Sequence, residues 1–341
     1  MSPAWKGAGR KCTSSAAPVP KLPGSVARLR AAVTGALADL PRGSLVLVAC
    51  SGGPDSLALA DTLEFCAPRM GLKAGLVTVD HGLQEGSAER AAEVTAWAEE
   101  AGLVPAEAVT VTVAGSGGPE AAAREARYAA LDRAAEQYGA AAVLLGHTRD
   151  DQAETVLLAL TRGAGPRGIA GMRPVRGRYR RPLLDVSRDD AHAACAERGL
   201  KPWADPHNSD PRFRRSALRQ AMGVLTETLG GDIVANLART ASLVGADTDH
   251  LDAIADAALA DCAEGPALSI AALEALSEPV RRRVLRAWIF QLGVNGADLN
   301  HHHVEALDAL VVAWHGQGPT SLPGGVKVCR KDGRLSADRP G

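Results

Sequence analysis

The stretch LVLVACSGGPDSLALA, residues 45–60, decides the fold of this chain. An apolar run, Leu45–Ala49, is followed by a loop that contains two glycines, a proline, an aspartate and two serines, and then by further apolar residues. This order predicts a buried strand, a tight loop and the first turn of a helix. Ligands of open α/β sheets bind where loops follow the strands, and backbone amides at a helix start attract anions. The loop Ser51–Ser56 is therefore predicted to hold phosphate.

The same strand-then-helix pattern continues along the chain. Apolar runs recur at Gly75–Val79, Ala108–Val113 and Ala142–Gly146, and each precedes a segment with helical periodicity. Strands that alternate with helices indicate parallel βαβ units, and continuous apolar runs are typical of strands covered on both faces. A further strand is predicted at Tyr179–Leu184, followed by a helix capped by Ser187. The predicted fold class is α/β, with a parallel sheet.

The strand signal ends at the turn-rich segment Lys201–Phe213. Beyond it we predict a smaller, mostly α-helical domain that ends in a short hairpin around Pro323–Gly325 and Asp332–Gly333. The predicted helices are Phe213–Leu229, Asp232–Asp261, Pro279–Leu292 and His301–Trp314. The resulting division is a disordered extension at 1–24, an α/β domain at 25–225 and a mostly helical domain at 226–341.

Composition narrows the class of protein. With 341 residues and 46% hydrophobic content, the chain can bury the cores of roughly two domains. No apolar run approaches the ~20 residues of a membrane-spanning helix, and the N-terminus lacks the apolar centre of a signal peptide. The six cysteines are scattered without a CxxC pair, which argues against a zinc knuckle or a disulfide framework and predicts inert side chains in a cytoplasmic protein.

Arginine is clustered although the net charge is only −1. Six arginines without an acid lie between Arg167 and Arg181, and four more lie between Arg212 and Arg219. Interleaved aromatic residues, Tyr179 and Phe213, complete a pattern that fits contact with a nucleic-acid backbone, although a solvated face is the commoner meaning of a charge run.

The loop itself lacks the lysine of a Walker phosphate loop and the GxGxxG spacing of a dinucleotide site. Its glycines let a ligand approach the backbone, its proline stands where no N–H is needed, and its hydroxyls can donate. A carboxylate facing phosphate is repulsive, so Asp55 indicates either Mg²⁺ or a helix cap. The predicted nucleotide ligands are Ser51, Gly52, Gly53, Pro54, Asp55 and Ser56.

A second polar motif, GHTRDDQAET, follows the fourth predicted strand. If its helix begins near Asp150, then Asp151 and Glu154 are three residues apart and share one face. Acidic residues in a first turn often only complement the helix dipole. Beside a triphosphate, however, they are candidates for binding metal or a substrate amine, or for moving a proton.

Together these motifs resemble a known family. SGGPDS resembles the pyrophosphate loop of the PP-loop ATP pyrophosphatases, and the ordered set resembles tRNA(Ile)-lysidine synthetase over about residues 44–220. The other members of the set are VDHGL (79–83), REARY (124–128), GHTRDDQAET (146–155), RPLL (181–184) and WADPHNSDPRFRRSALR (203–219). One departure is Ser216, where the family usually has asparagine.

The resemblance implies a ligase, with 25–225 as its PP-loop ATP-binding catalytic domain and 226–341 as its tRNA-binding domain. ATP would adenylate the C2 oxygen of the wobble cytidine in a CAU-anticodon isoleucine tRNA, and the amine of free L-lysine would displace AMP. Mg²⁺ is the implied metal, with Asp55 and Asp151 as its ligands. The implied catalytic residues are Asp55, Arg127, Asp151, Glu154 and Arg219, and His81 and His147 would line the nucleotide pocket. The sequence leaves open whether the chain forms a homodimer.

Three alternatives remain open at this point. A PP-loop tRNA thiolase would be expected to use paired cysteines, and a small-molecule PP-loop amidotransferase or NAD synthetase would not need the arginines. A non-catalytic nucleotide-binding or RNA-binding homologue is the third. The tract His301–His303 resembles a metal tract, but no carboxylate or cysteine companion is evident, and we expect it to bind nothing specific.

Overall fold

A computed structural model describes residues 23–82, 86–112, 119–203, 214–296 and 298–338. The side chains at 119, 120 and 214–216 are not described. The predicted extension up to residue 22, most of the WADPHNSDPRF motif and the side chain of Ser216 therefore lie outside the described residues.

The elements follow one another in the predicted alternation. Up to residue 197 they are α1 (Gly24–Leu37), β1 (Leu45–Ala49), α2 (Pro54–Arg69), β2 (Lys73–Asp80), α3 (Ser87–Glu100), β3 (Ala106–Thr110), α4 (Pro119–Gln137), β4 (Ala142–Leu145), α5 (Arg149–Thr161), α6 (Gly165–Ile169), β5 (Val175–Arg176), β6 (Tyr179–Arg180) and α7 (Arg188–Glu197). Beyond residue 213 they are α8 (Arg214–Leu229), α9 (Ile233–Cys262), β7 (Ala263–Glu264), β8 (Ala267–Ser269), α10 (Ile270–Glu274), α11 (Glu278–Gln291), α12 (His301–Val312), β9 (Thr320–Ser321), β10 (Lys327–Lys331) and β11 (Arg334–Asp338).

The chain divides into two compact units by its contacts. The first comprises residues up to 149 together with 174–209, and the second comprises 150–173 together with 210–341. The helix pair α5 and α6 thus packs with the C-terminal helices, apart from the first residue of α5. The boundary predicted near residue 226, between a catalytic and a tRNA-binding domain, concerns function and stays a prediction.

The first unit is built on a six-stranded sheet in the order β3-β2-β1-β4-β6-β5. Every pairing is parallel except that of β5 with β6. Both faces of β1 are covered, because Val46 and Val48 pack with helices on one face while Leu47 packs with α4 residues on the other. This explains the continuous apolar run and confirms the predicted α/β class.

The order of strands creates a switch point beside β1. The chain adds β2 and β3 on one side of β1 and then crosses to add β4 on the other side. The crevice between the carboxyl ends of diverging strands is where open α/β sheets bind ligands. The loop Ser51–Ser56 and the residues after β4 both lie at this crevice.

The second unit has a helical core and its own sheet. Five short strands pair antiparallel in the order β7-β8-β11-β10-β9. Its apolar core is drawn from α9 to α12 and the sheet, and it encloses a buried ion pair between Arg281 Nε and Asp308 Oδ1 at 2.7 Å.

Most predicted elements are confirmed, and two predictions were wrong. The strand predicted at Tyr179–Leu184 ends at Arg180, because Pro182 lacks an N–H for the ladder and begins a 3-10 turn. The expectation that strands stop in the C-terminal part, apart from one hairpin, was also wrong: the hairpin β10–β11 forms, but β7, β8 and β9 join it. Strands of two or three residues are too short to show periodicity.

Among the residues that the structure describes, no helix combines the length and the apolarity needed to cross a bilayer.

A side chain in place of Gly146, directly after β4, should destabilise the fold. Its Cβ would lie 3.1 Å from the Ser56 Cα and 3.2 Å from the Ser56 backbone nitrogen. We expect Gly146→Ala to lower the free energy of unfolding by about 1–3 kcal/mol, since backbone cannot move aside as a side chain can. The matched control is Gly35→Ala in α1, where a Cβ meets nothing within 4 Å. The control should be neutral or stabilising by up to about 1 kcal/mol. Equal thermal unfolding curves for the two variants would contradict the prediction.

Candidate functional site

The loop after β1 forms an anion cradle. Gly52 has φ +81°, a conformation that favours glycine, and a Cβ on it would lie 3.1 Å from Val94 Cγ2. Gly53 is the extended N-cap of α2, and Pro54 is the first helical residue, where its missing N–H leaves no gap in the helix. The remaining first-turn amides and the helix dipole therefore point at the space where a phosphate can bind.

Ser56 holds this loop in shape. Its hydroxyl accepts a hydrogen bond from the Ser51 amide at 3.1 Å, lies 3.2 Å from the Ser51 hydroxyl and donates to the Gly53 carbonyl at 3.0 Å. Its proton is thus committed within the loop. Ser56 shapes the cradle, and its predicted role as a direct nucleotide ligand stays a prediction.

Asp55 stands beside a residue that sequence reasoning missed. The second residue of α2, Asp55 has a side chain 24% exposed, and its Oδ1 lies 3.4 Å from His192 Nε2 on α7. The two residues are 137 positions apart in the sequence, and none of the motifs described above includes His192. A half-buried carboxylate at the start of a helix that faces an anion site is suited to a hard cation.

Trp203 joins the start of the WADPHNSDPRF motif to the same loop. Its backbone N–H donates to the Gly52 carbonyl at 2.8 Å, and the Arg90 guanidinium lies 3.0 Å from the centre of its ring. Both contacts lie within the first unit. The first residue of one of the motifs that carry the family resemblance is therefore anchored on the phosphate cradle.

The charge of Arg127 acts on His81, which directly follows the end of β2. Burial lowers the pKa of His81 below its ordinary 6.5, the charge of Arg127 lowers it further, and Asp80 opposes the shift. Asp80 accepts a hydrogen bond from the Gly82 amide at 2.9 Å, which is the leading cause of its own lowered pKa. His81 is thus a neutral imidazole at pH 7. It is suited to contact a ligand without adding charge.

The acidic pair on α5 and the arginine on α8 also meet, within the second unit. Arg219 Nε lies 2.8 Å from Glu154 Oε1, and Arg219 Nη2 lies 3.9 Å from Asp151 Oδ1. The Glu154 side chain is 3% exposed and that of Asp151 is 11% exposed. The predicted helix start near residue 150 and the shared face are confirmed. Arg219, predicted to touch phosphate or the adenylate, has an acidic partner 65 positions away that the sequence did not indicate.

The predicted site residues thus form two groups. One group belongs to the first unit and comprises Ser51, Gly52, Gly53, Pro54, Asp55, Ser56, His81, Arg127 and His147, with Asp55 beside His192 and His81 under the charge of Arg127. The other belongs to the second unit and comprises Asp151, Glu154 and Arg219. That Asp151 and Glu154 face the loop stays a prediction.

Several of the arginines clustered between Arg167 and Arg181 form contacts within the protein. Arg180 is buried and pairs with Asp39, and Arg181 is 5% exposed. Arg173 donates to the Gly245 carbonyl at 2.9 Å and pairs with Asp249. Charge clustering in the sequence therefore overstated the number of arginines available to a nucleic acid.

Four of the six cysteines behave as predicted, whereas Cys12 lies outside the described residues and Cys329 is free and partly exposed. Cys50, Cys66, Cys195 and Cys262 are free and buried, and burial raises the pKa of each thiol, to about 11 at Cys195. A thiol with a raised pKa is a poor nucleophile and a poor metal ligand. None of these four is fit for sulfur transfer.

The expectation about the histidine tract rested on a premise that was wrong. Glu305, one turn along α12, is a carboxylate companion: His302 Nδ1 lies 3.6 Å from Glu305 Oε2. Together with His301 they form an exposed group whose ligand atoms lie within 4.8 Å of one another and could hold a metal ion.

Comparison with known proteins identifies two family matches along the chain. Residues 28–225 match the PP-loop domain family, and residues 268–336 match the TilS substrate binding domain family. A tRNA(Ile)-lysidine synthase of Salinispora tropica is 57% identical over 325 residues, which cover 93% of this chain and 97% of that protein. Those of Thermobifida fusca and Mycobacterium tuberculosis are 55% and 48% identical, with 93% and 81% of this chain covered and 99% and 83% of theirs.

One solved structure supports the fold. The U34-tRNA thiolase NcsA of Methanococcus maripaludis is similar with a TM-score of 0.54 over 64% of this chain and 80% of that chain. The sequence identity is 18%, so the likeness concerns the fold alone.

The pKa of His81 provides a test of the electrostatic effect of Arg127 on this ring. In an NMR titration of the ring, Arg127→Gln should raise the pKa of His81 toward 6.5, because it removes a like charge. The exposed Arg133→Gln on the same helix should leave it unchanged. The unfolded chain binds this proton more readily, so the free energy of unfolding should fall as the pH drops below about 6.5. His81→Gln should remove the part of this loss in the free energy of unfolding that comes from protonation of His81. An unchanged pKa of His81 in Arg127→Gln would contradict the proposed effect of the Arg127 charge.

Removal of Arg219 should be costly because Glu154 is buried. We expect Arg219→Met to lower the free energy of unfolding by about 3 kcal/mol, the cost of leaving a buried charge without its partner. The double variant Glu154→Leu with Arg219→Met should recover most of the loss. Urea denaturation measures both, with Arg239→Met on the exposed side of α9 as control. Additive losses in the double variant would show that the two side chains do not interact.

Proposed function

This chain belongs to the tRNA(Ile)-lysidine synthase family, and from that premise we propose how its residues join L-lysine to the wobble cytidine of a CAU-anticodon isoleucine tRNA. The enzyme is an ATP-dependent ligase that modifies tRNA. Its reaction adenylates the C2 oxygen of the cytidine, releases pyrophosphate and then forms a C–N bond to lysine with release of AMP. The observation that carries the assignment is the phosphate cradle Ser51–Ser56 in a chain that matches its relatives over nearly their full length.

The two steps explain why the site needs both an anion cradle and carboxylates. C2 of a pyrimidine is a poor electrophile until its oxygen becomes a phosphate ester, which is a good leaving group. Adenylation places the negative charge of pyrophosphate at the loop. The α2 amides and helix dipole stabilise that charge without having to reorganise during the reaction.

Mg²⁺ is proposed as a cofactor, with Asp55 and Asp151 as the ligands. Both are carboxylates with part of their side chains exposed, 24% and 11%, and oxygen donors of this kind fit the ion. When bound, the ion would neutralise phosphate charge that Asp55 alone would repel. His192 beside Asp55 holds the orientation of that carboxylate.

We assign different roles to the two carboxylates of α5. Glu154 is the more deeply buried and accepts a hydrogen bond from Arg219, so it orients the guanidinium. Asp151 is more exposed and lies 3.9 Å from Arg219, which leaves it as the carboxylate that meets the metal or the lysine ammonium. Arg219 itself is 31% exposed and can reach the adenylate or a tRNA phosphate.

Arg127 and His81 are proposed to serve the nucleotide. Arg127 would neutralise phosphate or the lysine carboxylate, and neutral His81 would line the pocket with His147. Loss of Arg127 should therefore weaken substrate binding as well as shift the pKa of His81. We place the reaction in the cytoplasm, where free lysine, ATP and tRNA are all present.

The alternative of a cytidine thiolase is not favoured. The four buried thiols have raised pKa values, and the thiolase likeness at 18% identity extends only to the fold. A non-catalytic homologue is not favoured either, because the relatives are synthases.

Transfer of radiolabelled lysine to tRNA tests the function directly. Purified protein with ATP and Mg²⁺ should label a CAU-anticodon isoleucine transcript and should not label a transcript with methionine identity elements. Asp55→Asn and Asp151→Asn should each reduce the rate at least about 100-fold, since each removes a charge used in the transition state. Labelling of both transcripts, or of neither while ATP is still split to AMP and pyrophosphate, would refute the proposed acceptor or nucleophile.

A further inference from the structure

The second unit contains a cavity of about 630 Å³ to which no role has been assigned above. Its walls come from the segment 162–168 around α6, from one face of α11 and from the start of α12. Five arginines line it, Arg162, Arg167, Arg282, Arg283 and Arg286, against a single carboxylate, Glu305. A concave surface with this excess of positive charge attracts anions.

Neighbouring carboxylates neutralise this charge only in part. Asp252 is shared by Arg167 at 2.6 Å and Arg283 at 3.0 Å. Asp308 is likewise shared between Arg282 and Arg281, and Arg282 also pairs with Glu278 at 3.0 Å. Asp252 and Asp308 thus each serve two guanidinium groups.

Arg286 carries most of the argument. Within the described ranges it forms no ion pair, and its Nε is buried without a hydrogen-bond partner. Its guanidinium carbon lies 5.0 Å from the centre of the Phe290 ring, which supports the group without neutralising it. Burial lowers its pKa, the charge of Arg167 lowers it further and that of Asp252 opposes the shift, yet arginine does not lose its proton in proteins. A half-buried cation left in this state is stabilised by an anion that enters the cavity.

The start of α12 adds to the same preference. Asn300 caps this twelve-residue helix by accepting from the His303 amide at 3.3 Å, and His301 lines the cavity. The N-terminal end of a helix dipole favours negative charge. The same positive end of the dipole disfavours a metal ion on the adjacent group of His301, His302 and Glu305. The positive charge of the arginines disfavours that ion as well. An anion is therefore the ligand that the charges favour.

We propose that this cavity binds phosphate groups of the tRNA backbone, with Arg286 as the principal contact. The inference rests on the proposed function for the identity of the ligand, because a tRNA-modifying enzyme must hold RNA beyond the reacting base. Planar guanidinium groups suit phosphate because each can donate two parallel hydrogen bonds. Backbone phosphates carry no sequence information, so the cavity would add affinity and register rather than choice of tRNA.

The test compares Arg286→Gln with a matched control, Arg239→Gln, which lies in the same unit but does not line the cavity. Binding of the isoleucine transcript is measured at several KCl concentrations, and unfolding curves confirm that both variants fold. Arg286→Gln should weaken tRNA binding about tenfold, the loss of one charge-assisted hydrogen-bonded contact. It should also reduce the slope of log affinity against log salt by about one. Arg286→Lys should restore the slope and only part of the affinity.

Phosphate ethylation interference locates the contact. Ethylated phosphates that block binding of the wild-type protein should include one or two whose effect disappears in Arg286→Gln and persists in Arg239→Gln. An unchanged affinity and an unchanged interference pattern in Arg286→Gln would overturn the proposal. The proposal would also be overturned if Arg286→Gln abolished binding of inorganic phosphate or triphosphate and left the affinity for tRNA unchanged. The cavity would then hold free phosphate.

Lysine transfer separates this proposal from the proposed function. At saturating tRNA, Arg286→Gln should turn over at the wild-type rate with a raised KM for tRNA. If the wild-type protein transfers no lysine, the proposed function fails, whereas the binding and interference results still decide whether the cavity contacts RNA.

Discussion

The hydrogen bonds of one hydroxyl, that of Ser56, set the shape on which the rest of the first unit depends. The group ties the Ser51 amide to the Gly53 carbonyl and so closes the turn between the central strand and its helix. Gly146 packs directly against the same backbone from the neighbouring strand. The cradle is therefore a rigid product of the sheet, and its amides need not reorganise when charge arrives. Trp203 and Asp55 are then positioned by a loop that is already fixed.

Arginine serves three different purposes in this molecule. Arg180 and Arg281 are buried and belong to the fold, because loss of Asp39 or Asp308 would leave a buried guanidinium without its carboxylate partner. Arg219 is half-buried beside two acids, and its proposed role is in the chemistry. Arg286 lines a cavity, and its proposed role is in binding. The surroundings of each side chain, and not its position in a run of basic residues, separate these uses.

The sequence predicted the fold class and the loop well because both are local. The run Leu45–Ala49 matches β1 residue for residue, and the spacing of Asp151 and Glu154 places them on one face of α5. Ser187 caps α7 as predicted by accepting a hydrogen bond from the Asp190 amide. Each prediction depended on residues only a few positions apart.

What could not be predicted depends on distant parts of the chain. His192 meets Asp55, and Arg219 meets Glu154, only after folding brings together segments that no short motif connects. The strands β7 to β9 escaped notice because two or three residues cannot display a period, and their pairing to β10 and β11 is what makes them strands. Arg180 and Arg181 were grouped with surface arginines because burial is a tertiary property.

The burial of the thiols also bears on how the enzyme withstands oxidants. Peroxide attacks exposed thiolates, and Cys50, Cys66, Cys195 and Cys262 are shielded and held protonated. A tRNA thiolase must expose reactive sulfur in order to work and is open to inactivation whenever peroxide accumulates. The ligase chemistry proposed above relies on carboxylates, guanidinium groups and backbone amides, so it does not depend on an oxidisable thiol. We therefore expect lysine transfer to continue at peroxide concentrations that stop sulfur-based tRNA modification.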